Sequence, residues 1–281
     1  MLIRASFLFT TLSILVLTSG CGPIQTLEVE VVTSQVAPIR LGILPSDEPD
    51  RLIAKLAPLQ RYLETATGRR FELVVSATYD ALGDLVSQRK IEMAWFSGVS
   101  YMRSRARHPS IPMVRIVRYG KTTYRGVIVA RIDSGIRKVS DLAGRTFAYV
   151  DRNSGSGFLA ANQIMKDAQI RPLRDLASVR FTYSHAASLD GVRNHLFEAA
   201  ALYEGTVSDK DDDLIVVATS GPIRSDVIVA SPDLGRSLLD MIQGALVSMN
   251  SNDFGKRCLT ELRPFDPVDG FIEFDRDEEP R

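Results

Sequence analysis

No sign of charge dominates this chain. Its 34 lysines and arginines are matched by 34 aspartates and glutamates, so the formal net charge at pH 7 is zero. Such a balance argues against a nucleic-acid partner, which selects for a basic face. Histidine is scarce as well. The 3 present are scattered, with no H-E-x-x-H and no metal-ligand spacing, so neither a metal nor any other cofactor is expected. No G-x-S-x-G elbow occurs, which removes the usual sequence sign of a serine hydrolase. Internal repeats and low-complexity tracts are missing, and past residue 20 no apolar run approaches the length of a membrane span.

Cysteine is confined to Cys21 and Cys258. Ahead of the first, Arg4 forms a short basic region, Ala5 to Leu17 is apolar, and Leu17-Thr18-Ser19-Gly20 leads into Cys21. The apolar stretch is short for a membrane span and reads as an export signal over residues 1–20. Small residues directly before a cysteine resemble a bacterial lipoprotein signal, with Cys21 acylated at the start of the mature chain. Thr18 stands where leucine is more usual, which leaves ordinary secretory cleavage as the alternative. Each buried methylene of an acyl anchor contributes about 0.8 kcal/mol, so several chains hold a protein firmly. Cys258 then has no intramolecular disulfide partner and is expected as a small buried apolar residue. Residues 21–37 read as a tether, unless the Leu27-Val29-Val31 alternation makes a short strand.

From Ile39 onward, strand-like and helix-like segments alternate. Strands are expected at Ile39 to Leu44, Phe71 to Val75, Ile91 to Trp95, Met113 to Tyr119 and Arg125 to Ala130. Asp50 is a candidate cap for a helix with Leu52, Leu56, Leu59 and Leu63 on one face, stopped by Gly68. Later strands are expected at Ala199 to Tyr203, Leu214 to Ala218 and Asp226 to Ala230. A last long helix from Asp233 would carry Leu234, Leu238, Met241, Ala245 and Met249 as its apolar stripe. The alternation predicts an α/β protein with largely parallel sheets. If Tyr119-Gly120-Lys121 and Ser220-Gly221-Pro222 are crossovers, residues 38–124 and 222–281 form one lobe and 125–221 the other. A cleft between such lobes suits a small ligand.

One junction stands out. A strand over Phe147 to Asp151 feeds Arg152-Asn153-Ser154-Gly155-Ser156-Gly157 and then an amphipathic helix from about Phe158. Two hydroxyls and two glycines thus sit where the first N–H groups of a helix have no intrahelical partner. A helix start carries roughly half a positive charge, so the site suits an oxyanion without lysine or arginine. The plain alternative is an ordinary capped helix. A dinucleotide fingerprint over Gly155 to Ala160 is another, but it expects an acid at the next strand's end, where Ser184 and His185 stand instead. His185 is either an exposed loop residue or a donor to an anion. Glu204 and Asp226, acids beside apolar strands, either meet a ligand amine or pair with arginines such as Arg224. Tyr79, Phe96, Tyr101 and Tyr124 are each core or cleft wall. Ser156, His185 and Asp226 can be written as a hydrolase triad, a reading that lacks the elbow it needs.

Several segments occur together in order: Glu92-Met93-Ala94-Trp95-Phe96, Tyr124 through Ala130, Asp133-Ser134-Gly135-Ile136, Ser140-Asp141-Leu142-Ala143-Gly144 and the Asp151 to Gly157 junction. In combination, over roughly Leu52 to Phe274, they resemble the phosphonate/phosphite-binding lipoproteins and periplasmic proteins that serve ATP-binding-cassette importers. The resemblance implies a two-lobed, periplasmic-binding-protein-like (type II) α/β fold with a central cleft and two crossovers. It implies no catalysis. Ser154 and Ser156 match the family's phosphonate-binding serines, with Gly155 where threonine is usual and Gly157 completing the motif. Tyr79 matches a ligand-binding tyrosine, and Phe96 stands where relatives carry another. His185 matches a histidine that contacts phosphonyl oxygens, and Glu204 and Asp226 match acids that hold a ligand amine. The implied partners are a small phosphonate- or phosphite-like anion, an importer permease and, through Cys21, the membrane of a bacterial envelope facing the periplasm or exterior. The chain itself is expected as a monomer. A sensory lipoprotein of the same fold is the alternative role.

Overall fold

The computed structural model describes residues 36–107, 109–208, 210–263 and 267–276. Cys21, the export signal and all but the last residues of the expected tether lie outside them. The first half begins as β-α units. Strand β1 (Ile39–Ile43) leads to α1 (Pro49–Thr67), β2 (Phe71–Val75) to α2 (Tyr79–Ser87), and β3 (Met93–Phe96) to α3 (Gly98–Arg105), followed by β4 (Ile111–Arg118). Helix α1 is not capped by Asp50. Pro49, with its fixed φ, takes the first helical position and Asp50 falls in the first turn. Its end is set by Gly68 at φ 65°, whose N–H donates to Glu64 O at 2.9 Å. Leu52, Leu56, Leu59 and Leu63 are buried on its inner face, each contributing on the order of 1.5–3 kcal/mol.

The chain then builds a second sheet. It runs through β5 (Thr123–Arg131), β6 (Thr146–Tyr149), a wide helical turn (Gly155–Ala160) continued by α4 (Ala161–Asp167), and α5 (Pro172–Asp175). Next come β7 (Ser178–Phe181), α6 (His185–Arg193), β8 (Ala199–Tyr203) and β9 (Leu214–Arg224). The return to the first sheet is made by β10 (Val227–Ala230), α7 (Arg236–Ser248), α8 (Asp253–Leu262) and β11 (Val268–Glu273). The six-stranded sheet has the order β11-β4-β10-β3-β1-β2 and the five-stranded sheet β7-β6-β8-β5-β9.

The sheets are mixed rather than largely parallel. Strands β1, β2 and β3 run parallel, as do β6, β7 and β8, because each pair is joined by a crossover helix. Strands β10, β4 and β11, and β5 with β8 and β9, pair antiparallel. The antiparallel members are the strands flanking the passages between sheets. The first passage is a tight turn in which Arg118 and Lys121 exchange N–H···O bonds at 2.9 Å both ways. Tyr119 at φ 51° and Gly120 at φ 68° supply the left-handed pair that such a two-residue turn demands. The second passage falls at Ser225-Asp226, since β9 runs on through Ser220-Gly221-Pro222 with a register shift opposite Arg125.

The expected stripe of the last long helix packs on the core through Leu234, Leu238, Ala245 and Met249, and departs from it at Met241 and at its start. Pro232 to Leu234 make a separate short turn, and Gly235 at φ 77° restarts the chain, so the long helix begins at Arg236. Its buried face is Leu239, Ile242, Ala245 and Leu246, and Met241 lies on the exposed side. Cys258 is buried in the same core, beside Leu259 and Leu262. No helix among the described residues is long and apolar enough to cross a membrane.

Candidate functional site

Because each β-α unit in both sheets points its helix start the same way, the helix N-termini gather in the gap between the sheets. A cavity of about 290 Å³ lies there. On the first-sheet side, Ser46 and Asp47 precede α1, Tyr79 opens α2, and Ser97 caps α3 by accepting from Ser100 N at 3.1 Å. On the second-sheet side, Ser154 caps the wide turn, accepting from Gly157 N at 2.9 Å. Ser184 caps α6, accepting from Ala187 N at 3.2 Å, and places His185 at the first helical position. Thus α1, α2, α3, the wide turn and α6, five helical starts, each bring a residue to one cavity.

The wide turn follows from its packing. Leu159 N donates to Ser154 O at 3.1 Å, a five-residue step in place of the usual four. The turn lies against Gly126 of β5, where an added Cβ would come 2.9 Å from Ala160 Cβ and 3.2 Å from Ser156 Cα. Ser154 and Ser156 are both buried. The hydroxyl of Tyr79 lies beside that of Ser154, and Tyr124 beside Ser156. Burial raises the pKa of both phenols well above the ordinary tyrosine range, so both stay protonated as donors. A Cβ at Gly155 would sit 3.1 Å from Val99 Cγ2 and 3.2 Å from the Tyr124 hydroxyl. The space a threonine would need there is held by the phenol.

His185 is buried, with its ring edge-on to Tyr203 at 5.1 Å between centroids. Its Nδ1 has no hydrogen-bond partner in the structure, and burial pushes its pKa down to about 4. The imidazole is therefore neutral at pH 7. Asp226 does not orient it. The Asp226 carboxylate accepts from Trp95 Nε1 and from Arg118 Nη2, both at 2.9 Å, so the triad Ser156-His185-Asp226 is not assembled. Asp226 pairs with Arg118 of β4 rather than with Arg224. Burial pulls the Asp47 pKa upward, but the bonds from Lys55 and Glu48 N, together with the charges of Lys55 and Arg51, outweigh it and hold the carboxyl below the ordinary carboxylate range. Glu204, exposed, accepts from Arg125 N at 3.1 Å.

The structure thus brings Tyr79, Ser154, Ser156, His185, Glu204 and Asp226 to one cavity. Gly155 and Gly157 are buried behind the serines and do not line it. Phe96 is not brought there at all. It alternates with Trp95 along β3 and packs on the other side, among Leu82, Tyr101 and Val227, while Trp95 and Ser97 reach the cavity. Asp47, Lys55, Arg118, Trp95, Ser97 and Tyr203 also line it and were not singled out from the sequence. The carboxyl-end rule for strands reaches Asp47 and Ser97, shortly after β1 and β3. Nothing in the sequence points to Arg118.

Two mixed sheets joined by two chain passages, with a cavity between them that carries hydroxyl and charged side chains, define a small-solute receptor of the periplasmic-binding-protein type II fold. The chain belongs to the family of ABC transporter, phosphonate, periplasmic substrate-binding proteins, whose sequence model matches residues 41–279. A curated relative is the phosphate-import protein PhnD of Mycolicibacterium smegmatis, 24% identical over 223 residues, or 73% of this chain and 70% of that one. Among solved structures, a binding-protein component of an ABC phosphonate transporter from Pseudomonas aeruginosa aligns with a TM-score of 0.77. The two are 21% identical, over 85% of this chain and 82% of that one. PhnD1 of Prochlorococcus marinus in complex with methylphosphonate aligns at 0.76 and 18% identity, over 85% and 93%. Members of this family are binding components of importers, not enzymes.

Proposed function

We propose that the chain captures a small phosphorus oxyanion, a phosphonate or phosphite, in this cavity and presents it to an importer permease. The observation that carries the reading is the convergence of five helical starts on one cavity. Helix N-termini offer N–H groups without intrahelical acceptors, and their dipoles favour negative charge. Around them stand protonated hydroxyls of Ser154, Ser156, Tyr79 and Tyr124 and a neutral imidazole. A buried anion needs nearly every oxygen lone pair met by a donor, and this wall is rich in donors. The methylphosphonate-bound relative and the phosphate-import relative support the same ligand class.

Binding would favour the arrangement in which the sheets face each other closely. Ser184 Oγ already donates across the gap to Ser46 O at 3.1 Å. Arg103 of α3 donates to Arg152 O at 3.2 Å and to Asn153 just ahead of the serine motif. A closed form of this kind is what a permease would recognise.

The test has an internal reporter, since the chain's 1 tryptophan is Trp95 in the cavity wall. Tryptophan fluorescence and calorimetry against phosphite, methylphosphonate, 2-aminoethylphosphonate, phosphate and sulfate should show saturable binding of a phosphorus oxyanion. Micromolar affinity corresponds to about −8 kcal/mol, within reach of four or five charge-assisted hydrogen bonds after association costs. Ser156→Ala and His185→Ala are each expected to weaken the preferred anion at least tenfold, about 1.4 kcal/mol. Unchanged affinity in His185→Ala would remove that residue from the site, and no binding of any phosphorus oxyanion would sink the reading.

Anchoring through Cys21 is part of the proposal and rests on the apolar run and small residues that precede it. Metabolic labelling with a radioactive fatty acid in a bacterial host should mark the protein, and Cys21→Ser should abolish the label. Equal labelling of both would refute the anchor.

A further inference from the structure

Among the described residues the cavity is lined by three carboxylates, and their partners differ. Asp47 is ion-paired to Lys55, accepts from Glu48 N at 2.8 Å and has Arg51 at 3.7 Å. Glu204 is exposed at the rim, where an ion pair with a ligand contributes about 0–1 kcal/mol. Asp226 is the acid in the wall at the chain passage, with its side chain 19% exposed and that of Arg118 11% exposed. Arg118 meets it at 2.9 Å while lying over the Trp95 ring, 6.0 Å from the centroid. Trp95 donates its indole N–H to the same carboxylate oxygen.

This arrangement bears on which phosphorus oxyanion fits, and it rests on the oxyanion reading above. An aminoalkylphosphonate carries an ammonium that, once enclosed, needs a carboxylate whose charge is not already neutralised. Here the guanidinium of Arg118 already neutralises the Asp226 carboxylate at 2.9 Å. We infer that Arg118 serves as a built-in counter-ion to Asp226, and that the receptor selects phosphorus oxyanions lacking an amine over aminoalkylphosphonates. The neutralised carboxylate also spares an amine-free anion the repulsion of a bare negative charge in the same cavity. Arg118 is thereby a specificity-determining residue acting through Asp226.

Removing the guanidinium reverses both effects. In Arg118→Gln, Asp226 keeps only the Trp95 N–H, and its uncompensated charge attracts an ammonium and repels a simple oxyanion. Calorimetry on the full chain with methylphosphonate, phosphite and 2-aminoethylphosphonate tests this. The natural protein should bind methylphosphonate or phosphite at least tenfold more tightly than 2-aminoethylphosphonate. Arg118→Gln should narrow that ratio at least tenfold, and Arg118→Gln combined with Asp226→Asn should restore it. A natural protein that prefers 2-aminoethylphosphonate overturns the inference while leaving the oxyanion reading intact, and this result does not depend on any variant folding. A ratio unchanged in Arg118→Gln also overturns it. Failure of the natural protein to bind any of these anions overturns the oxyanion reading and the inference with it.

Discussion

Gly157→Ala is expected to disrupt the serine corner and abolish ligand capture. A Cβ at that position would lie 2.5 Å from Val150 Cγ2, 2.6 Å from Val150 Cβ and 2.9 Å from Ser154 Oγ. Val150 is fully buried among Tyr79, Leu82 and Phe96, so its branched carbon has nowhere to retreat. Overpacking of this kind costs about 1–3 kcal/mol. The same methyl would press on the hydroxyl that accepts from Gly157 N, and loss of such a cap costs about 1 kcal/mol more. Together these amount to about 2–4 kcal/mol in chemical denaturation. Calorimetry should then find no saturable binding, because Ser154 and Ser156 are carried on the displaced turn. A variant within about 0.5 kcal/mol of the natural protein would contradict this packing account.

The second large effect depends on pH. His185 in the unfolded chain titrates near 6.5, and burial lowers it to about 4 in the folded one. Between those values the unfolded state binds a proton that the native state does not. Stability from this residue is therefore complete above pH 6.5, declines as pH falls, and is lost once pH drops below about 4. The full difference corresponds to about 3 kcal/mol. Other groups titrate in the same range, so the measurement is a difference. Denaturation of the natural protein and of His185→Gln should diverge from pH 7 to pH 4, with the natural protein losing more. Parallel curves would show that His185 takes up its proton freely in the folded state. A bound oxyanion favours the imidazolium, so saturating phosphite or methylphosphonate should reduce the divergence.

Much of the architecture was legible in local signals. The serine junction, the α1 leucine face and the Gly68 stop all depend on contacts within a few residues, and local spacing records them. Helix α8 and strand β11 were missed, and of α6 only the opening residues Ser184 and His185 were placed, at a strand's end. Strand β3 shows why face assignment fails. All of Met93 to Phe96 is buried, so no polar alternation tells which side meets the cavity, and the sequence leaves Phe96 as core or cleft wall where the structure makes it core and lines the cavity with Trp95. Arg118 and Asp226 are neighbours only because β4 and β10 pair antiparallel, which brings residues 108 apart in sequence together. Strand direction was illegible for the same reason, since it depends on which distant strand becomes the neighbour.

Among the described residues the ionic groups lining the cavity largely pair with each other, Asp47 with Lys55 and Asp226 with Arg118, so in the proposed reading an anion is held by peptide ends and hydroxyls. Peptide dipoles fade within about one turn, whereas an unpaired cation is felt across a screening distance of about 8 Å in physiological salt. Such a receptor meets its guest by undirected diffusion instead of drawing it in from afar. The rate of capture should then depend only weakly on salt, because there is little long-range field for dissolved ions to mask.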